Sequence, residues 1–133
     1  MQVGFAATYD AGALFIACDR ENWAKLAFEC SAAGRPTIVS VVTRNTSDDA
    51  DGPSLAHDSV WLRLCCDGRI VAFHFSEDGR TWRFVRLFTL PGIEARPIEV
   101  GLGVQSPTGD GVEATFSNVA LVNGVIANLR DGS

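Results

Sequence analysis

The sequence predicts an all-β domain, its antiparallel strands folded into a two-layered sandwich or a barrel. Asp67-Gly68 and Asp78-Gly79 stand eleven residues apart, each between runs of alternating apolar residues. Asp-Gly supplies the positive φ angles of a tight hairpin turn. Thirteen glycines and five prolines separate short β-branched and aromatic runs along the 133 residues. An apolar period of about 3.6 residues, the mark of an amphipathic helix, nowhere persists.

The elements follow in order. Val3–Thr8 and Ala13–Asp19 read as strands joined through Tyr9-Asp10-Ala11-Gly12. Asp19-Arg20-Glu21-Asn22 turns into a third strand, Trp23–Cys30, and Pro36 opens a fourth, Thr37–Arg44. Asn45–Pro53 reads as a long acidic loop, and Ser54–Ser59 leads into a three-stranded meander from Val60 to Phe88. After a loop from Pro91 to Pro97, Ile98–Gln105 and Val112–Leu121 are the last strands, and Val122–Ser133 is a polar tail.

Two-residue Asp-Gly loops would set Leu64 opposite Val71, Leu62 opposite Phe73, Phe75 opposite Trp82 and Phe73 opposite Phe84. Opposed residues share a face of a sheet. The core face is then Val60, Leu62, Leu64, Val71, Phe73, Phe75, Trp82 and Phe84. The other holds Trp61, Arg63, Cys65, Ala72, His74, Ser76, Thr81, Arg83 and Val85. In the earlier hairpin, Trp23, Lys25, Ala27 and Glu29 share a face, with Ser40 and Arg44 expected beside them and Val39 and Val41 in the core. Two polar, tryptophan-bearing faces that adjoin on one curved sheet would line its concave side.

Composition narrows the functional classes. At 133 residues with 47% hydrophobic content the chain is one folded domain. A net charge of -5 argues against nucleic acid as a partner. No apolar run approaches the ~18 residues of a membrane helix, and the first residues lack a signal-peptide pattern. Cys65 and Cys66 are consecutive and point to opposite faces, and Cys18 and Cys30 lie at opposite ends of one hairpin arm. Free thiols in a cytoplasmic protein are the reading. With only His57 and His74 beside these cysteines, no zinc pattern forms. Asp48, Asp49 and Asp51 before Gly52 offer calcium-type oxygens but miss the EF-hand spacing. No phosphate loop, nucleophile elbow or other cofactor motif occurs.

Ala11-Gly12, then Asp19-Arg20-Glu21-Asn22-Trp23-Ala24-Lys25 and Phe28-Glu29, form the first of four recognisable stretches. The others are Thr43-Arg44, Ser76-Glu77-Asp78-Gly79-Arg80-Thr81-Trp82, and Gln105–Gly111 with Ala114-Thr115-Phe116-Ser117. In this order they resemble the concanavalin A-like family of unknown function that includes the yeast regulator of enolase. The resemblance implies a two-sheet antiparallel jelly-roll sandwich of the lectin and glucanase type, without implying an activity. Against the family pattern one or two amino-terminal strands are missing, and Ala17 and Ala27 replace residues that are usually larger or glycine. An uncovered sheet edge would favour a homodimer.

Eight candidate binding residues follow: Trp23, Lys25, Glu29, Arg44, Trp61, Arg63, His74 and Arg83. The tryptophans suit stacking against sugar rings, the arginines suit hydroxyls or an acidic sugar, and His74 suits hydrogen bonding. The functional expectation is a carbohydrate-binding module, with a protein-interaction or regulatory subunit as the alternative. A glycan hydrolase would need a carboxyl pair, for which Glu29 and Glu99 are the only strand-borne glutamates facing a shared cleft.

Overall fold

The computed structural model describes residues 1–124 and 126–133. Ten strands follow one another: β1 (Gln2–Val3), β2 (Ala11–Ala17), β3 (Asn22–Cys30), β4 (Pro36–Arg44), β5 (Thr46–Ser54), β6 (Trp61–Cys66), β7 (Val71–Ser76), β8 (Arg83–Phe88), β9 (Glu99–Gln105) and β10 (Ala114–Thr115). They form a five-stranded sheet ordered β5-β4-β3-β2-β9, a three-stranded sheet β6-β7-β8 and a short β1-β10 pair. All pairings are antiparallel, and the two larger sheets face each other as a jelly-roll sandwich.

Period-two alternation builds the core. Ile16, Leu26, Phe28, Ile38 and Val42 project from one sheet, and Val71, Phe73, Phe75 and Phe88 project from the other into the same cluster. Phe5 meets Phe28 edge-on at 5.2 Å and Phe73 meets Phe88 at 4.9 Å. Each fully buried phenylalanine contributes roughly 1.5–3 kcal/mol of burial.

The meander forms where the sequence places it, but its loops are longer. Cys66 pairs with Val71 and Leu64 with Phe73, leaving a four-residue connection from Asp67 to Ile70. Gly68 has the expected positive φ of 93°. Asp67 widens the turn by accepting the Arg69 and Ile70 N–H groups on Oδ1. This shift of two residues keeps every side chain of β6 on its expected face. Asp78 acts likewise, accepting from Ser76, Arg80 and Thr81. There the register moves by one, so Phe84 opposes His74 and Arg83 opposes Phe75 before a bulge restores Phe88 to the core. Trp82 and Phe84 therefore leave the core face assigned to them.

Three further expectations are corrected. The acidic stretch expected as a loop is strand β5, paired along β4 after a turn at Asn45 with φ 60°. A charged edge strand protects the sheet from unwanted pairing. Alternation sends Asp49 and Asp51 outward beside Val41 and Val39 but Asp48 inward beside Val42, so the three carboxylates do not share a face. Among the described residues no cluster of three potential metal ligands occurs. In β4, Val39 and Val41 oppose Ala27 and Lys25, so they lie on the outer face and Ser40 on the inner, because the connection Ser31–Arg35 has an odd number of residues. At the ends, β1 and β10 are only two residues each. Asp10 holds the chain before β2 in a turn by accepting the Ala6 and Ala7 N–H groups at 3.0 and 2.7 Å.

The four cysteines are unpaired. No helix long and apolar enough to cross a membrane is present among the described residues.

Candidate functional site

The eight candidate residues fall on different surfaces. Trp23, Lys25 and Glu29 project from the outer face of the five-stranded sheet. Trp61, Arg63 and His74 project from the outer face of the three-stranded sheet, on the opposite side of the sandwich. Arg44 lies on neither, since its guanidinium donates twice to Thr89 O at 2.9 and 3.2 Å and ties the end of β4 to the chain after β8. The register shift carries Arg83 to the inner row, where it lies 4.8 Å over the Phe75 ring and pairs with Glu77 at 3.5 Å. No single groove gathers all eight.

The outer face of the five-stranded sheet holds the more complete arrangement. Its floor is Ala11, Ala13, Ala27, Val39 and Val41, all buried within a cluster drawn only from β2, β3 and β4. Small side chains on β2 keep this floor low, and larger ones rise around it. Phe15 lies over Gly103, where a Cβ would come within 2.5 Å of its ring, and it packs against Trp23 at 6.1 Å.

One residue organises the polar groups. Gln105 at the end of β9 accepts from Lys25 Nζ on Oε1 at 2.6 Å. Through Nε2 it donates to Glu29 Oε2 at 3.1 Å and to Tyr9 O at 3.0 Å. Lys25 and Glu29 lie four residues apart on β3, and the amide bridges their ammonium and carboxylate. Tyr9 presents its carbonyl because it adopts φ 68° and donates its own N–H to Cys30 O. Burial pushes the Glu29 carboxyl above its ordinary range, Lys25 opposes this, and Asp51 and Asp49 on β5 reinforce it. The result is a chain of donor, amide and protonatable acceptor beside an aromatic pair.

Gln105, Asp49, Asp51 and Phe15 are the contributors that sequence reasoning missed. Each depends on which strands are neighbours. β9 lies beside β2 only through a long-range pairing, and β5 is a strand only because β4 offers it an edge. Glu99, expected as a possible carboxyl partner of Glu29, pairs at Ala17 while Glu29 pairs at Ala11. Six residues of β2 separate them, roughly 20 Å, well beyond the spacing that two carboxyls need to act on one glycosidic bond.

On the other side, residues 126–133 cover the outer face of β6 and β7. His74 is fully buried and bonded through Nε2 to Leu129 O at 2.8 Å, and Arg63 Nη2 donates to Gly132 O at 2.6 Å. Burial, helped by Arg63, lowers the His74 pKa against the opposing pull of its Leu129 hydrogen bond and of Asp131.

Fold and surfaces together define a β-sandwich with one sheet face whose polar groups Gln105 organises and one face strapped by residues 126–133. The chain belongs to the family described as protein of unknown function (DUF1349), which matches residues 1–123. It is similar to the solved structure of a functionally unknown protein from Saccharomyces cerevisiae, with TM-score 0.73 and 25% identity over 84% of this chain and 59% of that one. The chain thus spans 59% of that yeast protein's solved length. No curated protein matches it.

Proposed function

We propose that this protein is a carbohydrate-binding module whose ligand lies on the outer face of the five-stranded sheet. The carrying observation is the Lys25–Gln105–Glu29 chain over a floor of small side chains, beside Trp23 and Phe15. A sugar presents hydroxyls that both donate and accept, and a C–H face that packs on indole. Lys25 serves an acceptor position with an N–H not given to Gln105, Glu29 serves a donor, and Trp23 offers the stacking surface. A glycan array followed by calorimetry tests this. Lys25→Ala is expected to weaken binding at least tenfold, since a charge-assisted hydrogen bond contributes about 1.5–3 kcal/mol. Arg83→Ala, which lies away from this face, is expected to leave affinity unchanged. Silence across neutral and acidic sugars, or equal effects of the two variants, would overturn the reading. Release of reducing sugar that Glu29→Gln abolishes would turn it toward a hydrolase.

A second reading rests on a different observation. The inward row of β9, Val100, Leu102 and Val104, is 45–50% exposed, and Val100 and Leu102 line a cavity of about 940 Å³ along the edge of β6. Residues 117–124 line the same cavity and, among the described residues, make no backbone hydrogen bond. A strand edge without a partner and a segment without a ladder, on one chain, suit reciprocal exchange between two copies. We infer a homodimer closed in this way.

A further inference from the structure

The outer face of the three-stranded sheet is built as a site, and the chain's own residues fill it. Arg63 and His74 are directly opposed across β6 and β7. The Arg63 guanidinium stacks on Trp82 at 4.1 Å and spends Nη2 on the Gly132 carbonyl, while its Nε is buried without an acceptor. His74 carries its proton on Nε2, because the Leu129 carbonyl only accepts, and its Nδ1 is likewise buried without a partner. Gly132 fits because it has no side chain. Its φ is 80°, and a Cβ there would collide with Arg63 Nη2 and come within 3.1 Å of Trp82 and 3.3 Å of His74.

We propose that Arg63, His74 and Trp82 form a binding site for a carboxylate-bearing ligand, and that residues 126–133 are a displaceable strap occupying it. The Nε and Nη2 donors of a guanidinium form the fork that a carboxylate grips with both oxygens. The strap offers this fork a single carbonyl oxygen, so one donor stays unmet in a place water does not reach. A carboxylate meets both and supplies a countercharge to a half-buried arginine whose Nε is shielded from water. Around the pair stand the Phe84 ring from β8, Arg130 over that ring at 5.7 Å, and Asp131 within the strap.

The strap is suited to leaving as a unit. Asn128 N–H donates to Ser133 O and Gly132 N–H to Asn128 O, at 3.0 and 2.9 Å. Asp131 accepts from the Asn128 side chain and from Ser133, so the turn holds itself together apart from the sheet. Trp82 carries the Arg63 guanidinium on its ring and so fixes the fork toward the place that the Gly132 carbonyl occupies, and a small acidic sugar is a probe that brings a carboxylate there.

The test uses the full chain with glucuronate as probe, glucose as the neutral control, and amide hydrogen exchange as readout. Glucuronate is expected to accelerate exchange at Gly132 at least tenfold and saturably while β7 amides stay protected, and glucose is expected to do nothing. Gly132→Ala should free the strap without ligand and tighten glucuronate binding at least tenfold, and Arg63→Lys should abolish the response. Failure of glucuronate to bind a Gly132→Ala chain whose strap is free and whose β7 stays protected would overturn the proposal. So would equal responses to glucose and glucuronate, or unchanged binding in Arg63→Lys. Lys25 lies on the opposite sheet, so Lys25→Ala separates this site from the one proposed above.

Discussion

Arg86 on β8 and Asp48 on β5 meet at 2.8 Å, and each sits on the edge strand of a different sheet. Arg86 opposes Phe73 and Asp48 opposes Val42, so both belong to inward rows and the pair fastens the sandwich along one side. The arginine side chain is only 20% exposed and the aspartate 65%, so packing of the arginine stem is expected to outweigh the charge. Arg86→Ala should cost about 1 kcal/mol by urea denaturation, Asp48→Asn less. A double-mutant cycle should give a coupling below about 1 kcal/mol that shrinks as salt is added. Strictly additive losses would show that the pair does not join the sheets.

Glu29 makes a prediction about pH. Burial raises its pKa in the folded chain above the ordinary 4.5. Below that value the carboxyl is protonated whether or not the chain is folded, so it has no effect. As pH climbs past it, the unfolded chain releases the proton first, and folding loses stability until the folded carboxyl also ionises. Glu29→Gln keeps an acceptor for Gln105 and removes the titration. The variant should therefore match the parent near pH 4 and melt at a higher temperature near pH 8. Asp67 and Asp78, whose pKa values backbone N–H donors hold low, act in the opposite sense in acid but are common to both chains. A variant less stable than the parent at neutral pH would contradict the assignment.

The contrast between Leu64 and Arg83 shows how far the sequence was legible. Asp67-Gly68 and Asp78-Gly79 do turn the chain, and alternation alone places Leu62, Leu64, Val71 and Phe73 in the core. A register error of two residues at the first turn is invisible in that alternation. An error of one at the second exchanges faces, which moved Phe84 outward and Arg83 inward. Loop length was unreadable because the aspartate side chains rebuild each turn through their own hydrogen bonds. At the site, Trp23, Lys25 and Glu29 were readable because they share one strand. Gln105 reaches them from a strand eighty residues away from Lys25, and single-sequence periodicity carries no information about such neighbours. His74 and Arg63 were legible as members of one face, but not as directly opposed residues and not as residues covered by the segment 126–133.

Gly79 tests how the second turn supports the surface. It adopts φ 73°, and a Cβ there would come within 2.8 Å of the Trp61 ring. Gly68, with φ 93°, has nothing within 4 Å of the same position. Alanine at Gly68 should therefore cost only the strain of positive φ, on the order of 1 kcal/mol. Alanine at Gly79 should cost more, by roughly a further 1–2 kcal/mol, because the indole must move as well. Trp61 is 38% exposed, so its emission should shift in the second variant and not in the first. Equal losses in the two would mean that Trp61 does not rest on the turn.

The apolar seam argues for a second copy more directly than any feature of composition. Val60 N–H donates to Met1 O and Gln2 bridges Ser59, so the β1 ladder covers the approach to β6 and stops before Trp61. Beyond that point the edge of β6 has no strand partner among the described residues, while Val119, Leu121 and Val122 stand 65–85% exposed. Exposed apolar patches of this kind mark interaction surfaces. If residues 117–124 of each copy pair with β6 of the other, the exchange closes both seams through one two-fold interface. The solution mass should then be twice the 14.2 kDa of the chain. Leu121→Asp combined with Val119→Asp should return it to a monomer while leaving ligand binding at Lys25 intact. A parent protein that runs as a monomer at tens of micromolar, with amides 117–124 exchanging freely, would remove the second copy from the seam.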